Sequence, residues 1–215
     1  CLMGEQNVKK ISDEATHQEF MKSLLTEVNA LEKMLELGLV ESGVQRIGAE
    51  QEMFLIDKAH KPACKAMDIL DLIDDERFTH ELGLFNLEAN LSPHKLGGNC
   101  LSLMEKEAQE LYRHARETAS KVDCDIALTG ILPTLTKKDL GLDSMVPTPR
   151  YYALNDAIRA LRGDEFRFTI NGIDQISVKH DNVMLEACNT SFQVHFQVSP
   201  ENFAKNYNIA QAITG

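Results

Sequence analysis

The chain has no C-x-x-C pair, and its five cysteines (Cys1, Cys64, Cys100, Cys124 and Cys188) are odd in number. That argues against a zinc site or a disulfide framework and predicts reduced thiols, as in a cytoplasmic protein. No apolar run reaches transmembrane length, and the N-terminus lacks the apolar core of a signal peptide, so no membrane partner is expected. Gly97-Gly98 is not followed by Gly-Lys-Ser/Thr, so it reads as a turn and not as a phosphate loop. Basic residues are scarce: 22 Lys and Arg stand against 33 Asp and Glu, a formal charge of −11. That balance argues against nucleic acid or an anionic surface as a partner. At 215 residues, one domain with enough core to fold alone is expected.

What the chain does have is three strands with unusual faces. Residues 191–199 alternate without a break: Ser191, Gln193, His195, Gln197 and Ser199 fall on one side, Phe192, Val194, Phe196 and Val198 on the other. A half-buried strand with a wet outer face fits this period, and so does the floor of a polar cleft. Residues 46–56 read as a second strand, whose period of two puts Glu50 and Glu52 on one face. Like charges that close oppose each other, and a shared cation removes the penalty; an exposed pair guarding a sheet edge is the alternative. In the third, residues 84–93, Asn86, Glu88, Asn90 and Ser92 share a face opposite Phe85, Leu87, Ala89 and Leu91. Pooled in one sheet, these faces give an oxygen-rich acidic surface with one imidazole, a setting suited to a hard cation such as Mg²⁺.

These residues resemble a known family. Gly48-Ala49-Glu50-Gln51-Glu52, then Asn86-Leu87-Glu88-Ala89-Asn90-Leu91-Ser92-Pro93, Gly130-Ile131-Leu132-Pro133 and Gln193-Val194-His195 look like the N-terminal half of glutamate–cysteine ligase family 2. That group comprises ATP-dependent carboxylate–amine ligases related to glutamine synthetase. The resemblance implies an α+β fold: a curved, mostly antiparallel sheet with helices on one face, part of a glutamine-synthetase-like catalytic domain. It implies ATP and Mg²⁺ (or Mn²⁺), and a small-molecule acid and amine joined through an acyl phosphate. Glu50, Glu52 and Glu88 become metal ligands, and His195 contacts a metal or a nucleotide phosphate. Gln193 joins His195 in the nucleotide region, and Asn90 and Arg150 bind substrate. Simpler members carry His-Val-His where this chain has Gln193-Val194-His195. The chain stops where the second half is expected, so residues alone are expected to be inactive, and an open sheet edge beyond the His195 strand invites homo-oligomers. A non-catalytic domain binding nucleotide or a small acid is the alternative.

The remaining segments divide into a helical stretch over residues 1–43 and the catalytic portion over 44–215. Residues 1–12 are polar and expected to be loose. Phe20, Leu24, Leu25, Val28, Leu31 and Leu35 form a helical stripe within 13–41, expected to cover the apolar back of the sheet. A short helix over 67–75 and a long one over 101–121 follow, then a central strand over 125–132. Residues 133–149, rich in Pro, Thr, Lys and Asp, suggest a mobile lid. A helix begins at Thr148-Pro149, a hairpin turns at Asn171-Gly172, and a last helix runs from Pro200 towards Ile213.

Overall fold

The computed structural model describes residues 14–163 and 166–214; the expectation for residues 1–12 lies outside them. The architecture is α+β, with a mostly antiparallel open sheet of six strands and a separate two-stranded hairpin. The described chain forms two compact units, one holding Glu50–Leu91 and most of 105–193, the other residues 14–49, Ser92–Met104 and residues 194–214.

In the first unit the long strand β1 (Arg46–Ile56) is the organising element. Strand β3 (Asn86–Asn90) pairs with it antiparallel and sets Glu50 opposite Asn90, Glu52 opposite Glu88, and Phe54 opposite Asn86. Strand β2 (Phe78–His80) lies outside β3, with Thr79 opposite Glu88. Residues directly opposite in an antiparallel pair share a face. Glu50, Glu52, Asn86, Glu88 and Asn90 therefore stand together, as the sequence period requires. The other face is apolar: Met53, Leu55, Leu87 and Ala89 are buried. Helix α3 (Cys100–Ser120) covers it, turning in Leu111, Ala115 and Ala119 at i, i+4 spacing and setting His114 edge-on to Phe78. Leu101 is exposed at the start of α3.

Beyond the carboxylates, the same face of β1 becomes a core. Phe54 and Ile56 pack with Leu82, Phe85, Leu132, Leu140, Met145 and Met184. Residues 133–149, expected to form a mobile lid, are anchored to this core by Leu140 and Met145, while Pro133, Thr134, Lys137 and Lys138 stay exposed. Two short 3₁₀ turns, Lys137–Leu140 and Leu142–Ser144, carry Leu140 into it, and Met145 and Val146 follow. The polar residues that suggested mobility alternate with apolar anchors, and burial of the anchors decides the outcome. The central strand expected over 125–132 is shorter: β5 spans Asp125–Ala127 and pairs with the end of β1. Helix α2 (Ala66–Leu70) is also short; Ile69 and Ile73 are buried there while Leu72 is exposed. The expected hairpin forms from β6 (Phe166–Asn171) and β7 (Gln175–His180), with Asn171 pairing Gln175 so that three residues make the turn.

In the second unit, β4 (His94–Lys95) pairs with Arg46 and Ile47. Helix α1 (Glu14–Glu36) has the predicted stripe, but the stripe does not cover the sheet: Leu25, Val28 and Leu31 are 60%, 54% and 53% exposed. Strand β8 (Phe192–Phe196) pairs with β1, and its apolar file is likewise exposed, Phe196 at 59%. Period assigns a residue to a side of its element; it does not say what lies over that side. Helix α5 (Phe203–Ile213) ends the described chain. Among the described residues no helix is long and apolar enough to cross a membrane.

Candidate metal centre

Two carboxylates face each other across the β1–β3 ladder, and a third joins them from the end of β2. Glu52 and Glu88 are directly opposite. Glu81 lies two residues past Thr79, which pairs with Glu88. One oxygen each from Glu52, Glu81 and Glu88 can be chosen so that all lie within 4.8 Å of one another. Glu88 is buried and the other two are half-buried. Gly83 brings the chain from Glu81 back into β3 through a tight space. A Cβ there would stand 2.5 Å from Asn86 Oδ1.

Neighbouring groups hold the carboxylates in place. The Ser191 backbone N–H donates to Glu52 Oε2 at 2.8 Å, and Gln193 Nε2 donates to Glu52 Oε1 at 2.8 Å. Asn90 Nδ2 donates to Glu88 Oε1 at 2.7 Å. Three carboxylates this close cannot all carry charge at little cost. Burial pushes the Glu81 carboxyl up to about 8, aided by its hydrogen bond with Glu88 and by the charges of Glu88 and Glu52. At neutral pH Glu81 thus keeps its proton and donates it to Glu88, the usual escape from three crowded anions. A divalent cation offers another: three hard oxygen donors, one surrendering a proton, fit Mg²⁺ or Mn²⁺ by donor chemistry.

Helix α4 (Pro149–Arg162) supplies the rim. Burial and the nearby Glu81 charge push the Tyr151 phenol up to about 12, and its oxygen lies 3.3 Å from His80 Nδ1. Burial pushes the His80 imidazole down, and the Arg150 charge adds to the shift.

The structure places the residues singled out in the sequence as follows. Glu52 and Glu88 converge, Gln193 binds Glu52, and Asn90 binds Glu88. Glu50 is buried on the same face, opposite Asn90, but the converging trio contains Glu81 in its place. Arg150 is exposed in the first turn of α4. His195 is exposed in β8, in the second unit. Sequence reasoning passed over Glu81 because β2 has three residues, too few to show a period. The only signal was its place two residues beyond Thr79, on the side of the strand that faces Glu88.

An antiparallel sheet thus presents a convergent carboxylate cluster on one strand face, a donor set whose chemistry suits a hard cation. The sequence profile of glutamate–cysteine ligase family 2 matches residues 46–210, and the chain belongs to that family. The match runs from β1 into α5 and so includes the trio and the three residues that orient it, Asn90, Ser191 and Gln193. Its chemistry is thereby of the glutamate–cysteine ligase type. No curated protein matches the chain.

Proposed function

We propose that this protein is an ATP-dependent carboxylate–amine ligase, using Mg²⁺ or Mn²⁺ and joining a small acid to a small amine through an acyl phosphate. The observation that carries the reading is the convergence of Glu52, Glu81 and Glu88 on one strand face within a chain of this family. Those three residues would hold the cation, which supplies neutralisation of the charge that gathers on a transferred phosphoryl group. Gln193 and the Ser191 N–H keep both oxygens of Glu52 pointed inward, and Asn90 does the same for one oxygen of Glu88. Glu50 adds negative field from the adjacent pleat. Arg150 offers an exposed guanidinium to a substrate carboxylate, and His195 is assigned to a nucleotide phosphate. The acid's carboxylate oxygen attacks the terminal phosphorus of ATP, ADP leaves, and the amine then displaces phosphate to give the amide. Solubility within the cytoplasm and association with further copies of the chain belong to the same proposal.

The alternative, a domain that binds nucleotide or a small acid without turnover, differs in chemistry. Hydroxylamine intercepts an acyl phosphate as a hydroxamate. With the product of the complete reading frame, ATP, Mg²⁺ and glutamate first, then a panel of acids, we expect hydroxamate to accumulate with matching ADP. Glu52→Gln should abolish it. Nucleotide binding with no hydroxamate from any acid would establish the alternative.

A further inference from the structure

Helix α1 carries an apolar stripe that nothing among the described residues covers. It runs for 23 residues, and residues 17–36 are exposed throughout. Most of a helix's stability in a folded protein comes from packing such a face, so the bare stripe calls for a partner. Its spacing is that of a seam between helices. Met21, Leu24, Val28, Leu31 and Leu35 follow one another at intervals of three, four, three and four, the a and d positions of a heptad repeat.

Charge selects what lies on that seam. The helix holds five Glu against two Lys, the wrong balance for an anionic membrane, which takes basic amphipathic helices. Glu27 and Glu32 flank the middle of the seam at the g and e positions. A parallel copy would set Glu27 of each helix against Glu32 of the other, two like-charge pairs. An antiparallel copy pairs Val28 with Leu31 and Leu24 with Leu35. In that register Glu27 faces Met34 and Glu32 faces Leu25, and Lys22 falls on the flank that carries the second copy's Glu36. The seam is thus self-complementary in one orientation, as a two-fold interface requires.

We infer that α1 is a dimerisation element, which takes α1 of a second copy of this chain in antiparallel register through the seam from Met21 to Leu35. The inference gives the proposed association of copies a surface. It uses no residue of the carboxylate centre, so its failure leaves the ligase reading untouched. Sedimentation velocity over about 1–100 µM tests it; a reversible monomer–dimer equilibrium is expected, since one helix seam is small beside the roughly 800 Å² per partner of a standard interface. Leu24→Glu/Leu31→Glu should weaken dimerisation at least about tenfold. Both side chains are exposed, so at dilution, where the wild type is also monomeric, the double variant should melt with it. Phe196→Glu, in the exposed apolar file of β8, should dimerise as the wild type does. Glu32→Lys reads the orientation: an antiparallel seam keeps its affinity within about threefold, whereas a parallel one, exchanging two repulsions for two attractions, tightens about tenfold. A chain that stays monomeric over this range, a double Glu variant that dimerises like the wild type, loss in Phe196→Glu, or tightening in Glu32→Lys would overturn the inference.

Discussion

Glu88→Gln is expected to weaken Mn²⁺ binding by about a hundredfold while raising the thermal stability of the metal-free protein. The two effects have opposite signs because one carboxylate does two things. With a cation it is a charged ligand, and replacing it with a neutral amide removes at least as much affinity as loss of an orienting partner, for which tenfold to a hundredfold is usual. Without a cation it sits buried beside Glu52 and Glu81, all three offering oxygens within 4.8 Å of one another. Removing one charge from such a group relieves repulsion of about 1 kcal/mol or more. Gln keeps an oxygen in place for Asn90 Nδ2, and its amide N–H, standing where the second oxygen was, can donate to the Glu81 carboxyl in place of the bond that Glu81 gives Glu88. Differential scanning calorimetry in EDTA and in Mn²⁺ reads both signs at once. A variant that is less stable in EDTA would show that Glu88 serves the fold and not a cation.

Most of this centre was legible in the sequence, for a reason specific to strands. A period of two is rigid, so Glu50, Glu52, Glu88 and Asn90 had to share a face once β1 and β3 paired in register. The same rule puts Gln193 on the polar side of β8, but its sequence assignment was to the nucleotide region; its bond to Glu52, which closes the cluster from a third strand, is known only from the fold. Glu81 was not legible because it acts from the end of a three-residue strand, where the pairing and not the pattern brings it in. The lid expected at 133–149 failed for another reason. Its composition resembles a loose loop, but Leu140, Met145 and Val146 are spaced to reach a core that only the folded chain supplies.

The second large effect comes from that core. Phe54→Ala should cost about 3–5 kcal/mol, because a fully buried ring is removed from among Leu82, Phe85, Leu140 and Met145 and the cavity cannot collapse. Phe196→Ala should change stability by no more than about 0.5 kcal/mol, as expected for an exposed side chain. The alternation of β8 read from sequence would give Phe196 the larger cost, since it treats the apolar file as buried. Urea unfolding of the two variants separates these views. A loss for Phe196→Ala comparable to that for Phe54→Ala would mean that the β8 file is covered.

A cation that binds the trio must displace a proton from it. Glu81 has its carboxyl raised in the folded chain from an ordinary 4.5 to about 8, so between those values the folded state holds a proton that the unfolded state has released. This group's contribution to metal-free stability is therefore full below about pH 4.5 and is lost as pH rises through about 8. Cation binding runs the other way, since the ligand must ionise. Calorimetric titration of Mn²⁺ from about pH 6 to 8.5, in buffers of different ionisation enthalpy, measures both affinity and protons released. The predicted result is release of about one proton near neutral pH, with affinity rising about tenfold per pH unit until about pH 8, and loss of that dependence in Glu81→Gln. An affinity that stays flat across this range with no proton released, or that is unchanged in Glu81→Gln, would contradict the assignment of Glu52, Glu81 and Glu88 as a metal centre.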